Sequence, residues 1–333
     1  MSVERESGEG PPEWEEAPAG ASVRGGGAIE ATSRAAVGMP AVDSGLRQRR
    51  YRRTLGIVAF VVALGVVWES AKWLAGDPWR LPALGIFHDP PFRVLQLSDR
   101  HLPHLWDIVA AFGEPFQRNA QYNLASYLID QALYTGQQAL IGFSLGALIG
   151  IVLASIFVHS GLAERAFVPY VVASQTVPIV ALAPLIVAGF GRGLTSVVII
   201  ATYLTFFPVT IAALRGLRSP DPRALELMRS YAASRWAIYL KVRLPASLPY
   251  LFTALKIAAA AAIVGTIIGE GPGGVPQGLG RAILNFNQQY ITGPEKLWAT
   301  IFVTAVVGIV FFMAVRVAEI LVLRSRGQRE MSA

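Results

Sequence analysis

Long apolar runs alternate with short polar ones along this chain, and the apolar runs are of membrane length. A hydrocarbon core of about 30 Å takes about 20 helical residues. Six runs reach or approach that length: 54–75, 131–157, 167–189, 194–214, 250–270 and 297–323. The pattern predicts six transmembrane helices and an all-α, polytopic membrane protein. In the second run Gly142, Gly146 and Gly150 recur every four residues. On one helix face such residues let two backbones approach closely, and packing of that kind drives helix association in lipid. The third run carries Pro169, Pro178 and Pro184, with Ser174, Gln175 and Thr176 just before the second proline. Each proline removes a helix hydrogen bond, and the freed carbonyls must face protein or a wet cavity. Ser174, Gln175, Thr176 and Pro178 are therefore expected beside a translocation path.

Composition agrees with a membrane chain. Of 333 residues, 53% are apolar and 15% charged, against roughly 25% charged in soluble domains. The absence of cysteine excludes a disulfide framework, thiolate metal sites and thiol catalysis. The polar N-terminus lacks the pattern of a cleavable signal peptide. The net charge of +7 comes from residues clustered beside apolar runs, where they set topology, and no nucleic-acid partner is expected.

Those clusters give one orientation. Arg47, Arg49, Arg50, Arg52 and Arg53 precede the first run, Arg324, Arg326 and Arg329 follow the last, and the most basic loop follows the fourth. The positive-inside rule then places both termini and that loop in the cytoplasm. Residues 1–46, rich in Gly, Pro, Ala and Glu, read as a disordered tail, and 47–75 as a basic anchor with the first span. Residues 76–130 read as an extracytoplasmic segment, 131–323 as the membrane core with its cytoplasmic loop at 215–249, and 324–333 as a second tail. Within the outer segment Leu105, Ile108, Val109 and Phe112, beside Trp106, predict a short amphipathic helix at the interface. His101 and His104 lie near Asp99 and Asp107, yet Pro103 separates them and no third strong ligand is evident. A solvated loop is expected there, with no metal site.

The loop after the fourth run carries seven basic residues between Arg215 and Arg243. Asp221 can cap a helix whose first position suits Pro222. Leu225, Met228, Tyr231 and Ala232 then form one apolar stripe, and Arg223 and Arg229 lie three residues either side of Glu226. Ser234 can cap a second short helix with Trp236, Ile238 and Tyr239, and Leu244-Pro245 opens the next element. An amphipathic pair of this kind suits a groove on a partner.

These residues resemble the permease subunits of binding-protein-dependent ABC importers, which carry Glu-Ala-Ala, a glycine four residues on, and then Leu-Pro. Here the motif reads Glu226-Leu227-Met228, Ala232 and Leu244-Pro245. The resemblance is to the nitrate/sulfonate/taurine group and covers roughly residues 100–325. It implies a type I importer permease fold in a prokaryotic cell membrane and a coupling helix that docks into a cleft on a separate ATPase. The coupling residues are then Glu226, Leu227, Met228, Tyr231, Ala232, Ala233, Leu244 and Pro245. It also implies as partners a cytoplasmic ABC ATPase dimer, an extracytoplasmic solute-binding protein, a second copy of the permease and membrane lipid. Two departures stand out. Leu227 and Met228 replace the alanines, and Ala232 replaces the glycine, which costs roughly 1–2 kcal/mol if the backbone there is left-handed.

The Gly-rich run Gly269–Gly280 lacks the lysine and hydroxyl of a phosphate-binding loop. No catalytic residue or cofactor is therefore expected in this chain, with ATP and Mg on the partner. Glu270 closes the fifth span, and an acid near the membrane marks function by default. With Asn285 it is expected on the path, where the amides 285–289 and Tyr290 suit a neutral or heterocyclic solute. The stretch Gly269–Trp298 looks most like permeases for thiamine-precursor pyrimidines or riboflavin, with nitrate, sulfonate or taurine as the alternative. An ion-coupled secondary transporter would show inverted repeats and paired intramembrane acids. No such repeat is evident, and Glu69, Lys72 and Glu270 lie near span ends.

Overall fold

The computed structural model describes residues 42–81, 86–117, 120–271, 275–291 and 293–330. Most of the expected N-terminal tail and the last three residues lie outside them. The chain divides into two units, Met1–Val62 and Ala63–Ala333. The described part of the first is the beginning of helix α1 (Val42–Ala75), where Leu55, Ile57, Val58 and Phe60 are exposed.

The second unit begins with the rest of α1. After it, strands β1 (Trp79–Leu81) and β2 (Ile86–His88) form a small antiparallel pair, with Trp79 opposite His88. Helix α2 (Leu105–Ala111) follows. Its Ile108 and Ala111 are buried in a cluster with Leu124, Leu128, Leu279 and Phe286, whereas Val109 is exposed. The expected short helix is thus present, and it packs into the protein through one face.

Helix α3 (Leu124–His159) starts at Asn123, whose side chain accepts the Ser126 N–H. It packs along α6 (Leu194–Leu217) through the glycine series. A Cβ on Gly142 would stand 2.4 Å from that of Ala201, one on Gly146 2.6 Å from that of Thr205, and one on Gly150 2.9 Å from that of Val209. Contacts this close exist only because there is no side chain. The two helices run parallel, since each step of four along α3 is a step of four along α6.

That parallel register settles the third apolar run. The sequence predicts one span over 167–189, whereas the structure has α4 (Gly161–Ser174) and α5 (Ile179–Phe190) meeting at 102°. Pro178, which lacks an N–H and biases Val177 away from helical angles, breaks the helix there. Among the described residues, five helices are long and apolar enough to cross a membrane, or six if the bent pair is one span. Because α6 starts level with the early part of α3 and ends level with its end, residues 160–193 must travel back roughly 30 Å. The bent pair therefore makes one net crossing, and the expected six spans stand with one of them broken.

Beyond α6 come α7 (Pro222–Ser230), α8 (Arg235–Ile238), a π-helical turn at Tyr239–Arg243 and α9 (Leu244–Glu270). A wide turn suits the approach to Pro245, whose ring would otherwise clash with the carbonyl four residues back. The helix axis continues, so Arg235–Glu270 counts as one span. Helix α9 runs antiparallel to α6, with Gly265 against Ala201 and Gly269 against Val197. Short α10 (Leu279–Gln288) and long α11 (Pro294–Glu330) complete the chain.

Candidate functional site

The bundle has two chemically distinct ends. One carries α7 and α8 with the ends of α3 and α6. The other carries α2, α10 and the start of α11.

At the first end, each cap expected from sequence is made. The Asp221 carboxylate accepts the Arg223 N–H at 2.8 Å, and the Ser234 hydroxyl accepts the Ala237 N–H at 3.2 Å. Helix α7 ends with Ala233 N–H donating to the Met228 carbonyl and Ala232 N–H to that of Arg229. This is the Schellman arrangement, which needs a left-handed residue between helix and exit. Ala232 supplies it with φ 53°, the one non-glycine at positive φ among the described residues. The position at which the motif has glycine thus keeps the glycine geometry, with a methyl group in place.

The apolar stripe faces differently from the sequence expectation. Leu225 and Met228 are half-buried, while Leu227 and Tyr231 are exposed at 57% and 77%, as is Trp236 at 68%. Glu226 is exposed between them and Ala233 half-buried. Glu226, Leu227, Tyr231 and Trp236 therefore lie on the outward surface, together with Arg223, Arg229 and Arg235. The loop is held to the bundle by the Tyr239 hydroxyl, 2.7 Å from that of Ser155, and by Arg243, whose Nη1 donates to the Leu217 carbonyl at 3.1 Å. Leu244 and Pro245 are half-buried at the join with α9 and do not belong to the exposed surface.

Ser174, Gln175, Thr176 and Pro178 form the elbow between α4 and α5. Ser174 and Thr176 turn their hydroxyls onto the carbonyls of Val171 and Ala173, and the Tyr203 hydroxyl of α6 donates to the Ser174 carbonyl. Gln175, Thr176 and Pro178 are exposed.

Glu270 stands apart from that elbow. Its side chain is wholly buried, which removes it from any open vestibule. It accepts the Thr135 hydroxyl at 2.7 Å and the Gly280 N–H at 2.6 Å. Thr135 accepts the Leu279 N–H at 2.8 Å, and the Gln131 amide oxygen accepts that of Gly278 at 2.7 Å. Three orphan N–H groups at the start of α10 are thus satisfied by side chains of α3 and α9. Gly278, at φ 113°, admits the carboxylate because a Cβ there would lie 2.3 Å from it. Asn285, on α10, meets the Tyr127 side chain. No hydrogen bond among the described residues joins Glu270 or Asn285 to the elbow.

The segment before α2 is an ionic assembly, where the sequence predicts a solvated loop. Lys72 is fully buried, with Nζ 2.6 Å from Asp99 Oδ1 and 2.5 Å from the Leu102 carbonyl. His104 is buried, its Nδ1 2.7 Å from Glu69 Oε2, and Glu69 also accepts the Leu105 N–H. Burial pushes the nearby Asp107 carboxyl above its ordinary value, with His104 opposing. The carboxylates and histidine hold the end of α1 to the start of α2. A second pair, Lys256 on α9 with Glu319 on α11 at 2.8 Å, is half-buried. Sequence reasoning passed over it, although Lys256 is the one cation inside its run. The row Gln131, Thr135 and Gln138 on α3, at helical spacing in an apolar span, is the signal that would have found the α10 anchor.

Residues 146–324 match the model of the binding-protein-dependent transport system inner membrane component. The chain is 30% identical over 280 residues to the formylaminopyrimidine transport permease protein ThiX of Halalkalibacterium halodurans, covering 83% of this chain and 97% of that one. It is 39% identical over 107 residues to the riboflavin transport system permease protein RibX of Chloroflexus aurantiacus, 32% of this chain and 40% of the other. With the taurine transport system permease protein TauC of Escherichia coli it shares 28% over 204 residues, covering 61% and 66%. Multi-pass helices, a broken span and this match agree: the chain belongs to the binding-protein-dependent transport system inner membrane components and is an inner-membrane permease of an ABC importer.

Proposed function

We propose that this permease forms half of a translocation path for a small organic solute, a thiamine-precursor pyrimidine or a riboflavin-like compound. In this reading a second copy supplies the other half, a binding protein delivers the solute outside, and a cytoplasmic ATPase dimer binds at α7 and α8. The observation that carries the reading is the capped loop with its left-handed Ala232, which leaves Glu226, Leu227, Tyr231 and Trp236 exposed. An exposed apolar set on a rigid frame is what a partner groove covers. The positive-inside rule supports a cytoplasmic position for this loop and both termini.

The mechanism follows from continuity. Arg235–Glu270 is a single helix of 36 residues, about 54 Å long, with the docking loop at one end and the anchor of α10 at the other. Closure of the ATPases displaces α7 and α8, α9 carries that displacement across the membrane, and Glu270 passes it to α10. The elbow at Ser174–Pro178 exposes the polar side chains of Gln175 and Thr176, which lipid would not solvate. A second copy facing that elbow would enclose them in a wet path. Its hydroxyls and amide are neutral, which favours a neutral heterocycle over an oxyanion. Names of relatives support the same class, since formylaminopyrimidine and riboflavin permeases are among them.

The test is reconstitution in proteoliposomes with ATPase and binding protein. Leu227→Asp with Tyr231→Asp should abolish ATPase co-purification and ATP-driven uptake of labelled aminopyrimidine, while the permease stays folded. Uptake that persists in that variant, or that follows a proton or sodium gradient without ATP, would overturn the reading.

A further inference from the structure

We propose that a cavity behind α7 and α8 binds a phosphate-bearing anion, either a phospholipid headgroup or free phosphate. The cavity measures about 490 Å³ and lies between the end of α3, the end of α7, α8 and the π-helical turn. Arg229, Arg235, Arg243 and His159 contribute its polar lining; the other lining residues are apolar, and no carboxylate is among them. Among the described residues neither Arg229 nor Arg235 forms an ion pair, and the nearby Glu164 is engaged by Arg218.

Three guanidinium groups around one cavity repel each other unless an anion sits between them. Their flat forks match phosphate oxygens bidentately. The frame is fixed before a ligand arrives. Arg243 is tied to the Leu217 carbonyl, and the Arg229 main chain closes the Schellman turn at Ala232. His159 spends Nδ1 on the Ser155 carbonyl at 2.7 Å and packs its ring against Trp236 and Tyr239. That aromatic group stands where α3 ends and α9 begins, the depth at which tryptophan and tyrosine meet lipid headgroups. A headgroup phosphodiester and a soluble phosphate both reach that depth, so they share one chemistry.

None of Glu226, Leu227, Tyr231 and Trp236 lines this cavity, and the site does not depend on which solute is carried. The experiment uses the full-length permease in neutral detergent, as wild type and as Arg229→Gln/Arg235→Gln, which spares Arg243 and its bond to Leu217. Phosphatidylglycerol and phosphatidylcholine are titrated in mixed micelles, and inorganic phosphate against chloride at equal ionic strength, with bound ligand read by native mass spectrometry and melting temperature. The wild type should bind one of the two phosphate probes at least about tenfold more tightly than the variant. A response to phosphatidylglycerol alone assigns a headgroup, and a response to inorganic phosphate alone assigns the free anion. Arg229→Lys/Arg235→Lys, which keeps charge but loses the forks, should also weaken binding, and it serves if the glutamine pair does not fold. Equal binding of both probes by wild type and variants overturns the proposal. So does a variant that loses ATPase co-purification yet binds both probes as wild type does, because the arginines would then belong to the ATPase contact.

Discussion

Glu270 and Gly280 are joined by a hydrogen bond of 2.6 Å from the Gly280 N–H to the carboxylate, which fastens the last residue of α9 to the first turn of α10. Glu270→Ala would leave that N–H and the Thr135 hydroxyl without their acceptor inside the bundle. Losing such an acceptor costs about 1–3 kcal/mol. We expect a clear drop in melting temperature for Glu270→Ala and a smaller one for Glu270→Gln, which keeps an acceptor oxygen. Thermal unfolding in detergent decides it, and an unchanged midpoint for the alanine variant would remove Glu270 as the anchor.

Ala232→Gly should stabilise the loop. The left-handed backbone at φ 53° penalises a side chain by roughly 1–2 kcal/mol, and the greater freedom of glycine when unfolded returns about half of that. Ala232→Val should destabilise instead. Hydrogen exchange of the Ala233 amide reports the turn directly, since its bond to Met228 closes it. Slower exchange in the valine variant would contradict the assignment.

The α3–α6 seam gives a matched pair of substitutions. A methyl group on Gly146 would meet Thr205 Cβ at 2.6 Å and the Thr202 carbonyl at 2.8 Å, whereas one on Gly136 meets nothing within 4 Å. Gly146→Ala should cost about 1–3 kcal/mol through overpacking, and Gly136→Ala should be neutral or slightly stabilising. Comparing folded yield and melting temperature of the two separates close packing from helix propensity.

Lys256 and Glu319 should show coupling. Lys256→Met strands a half-buried carboxylate on α11, and Glu319→Gln strands the ammonium, so each single change should harm more than expected from its size. The double variant should recover part of the loss, with a coupling of about 1 kcal/mol. Strict additivity in a double-mutant cycle would show that the 2.8 Å contact contributes nothing.

What could be read in advance was local. Apolar length found the spans, Asp221 and Ser234 announced their caps, and the glycine series named its own packing face. The alanine at 232 even carried the right geometric question. What could not be read depended on residues far apart in sequence. Glu270 looks like a lone acid near a membrane until Gln131, Thr135 and the α10 amides surround it. His104 looks solvated until Glu69, 35 residues earlier, reaches it. The outward turn of Leu227 in place of Leu225 followed from how α7 packs, because helical spacing gives two plausible faces and burial picks one.

The three-glycine seam has a mechanical consequence. Two backbones meshed at Gly142, Gly146 and Gly150 cannot slide past each other by small amounts, since the next position that fits lies four residues, roughly 6 Å, away. Helices α3 and α6 therefore behave as one stiff bar. Any rearrangement during a transport cycle has to be borne by the parts outside it, the elbow of α4 and α5 on one flank and α10 on its anchor at the other.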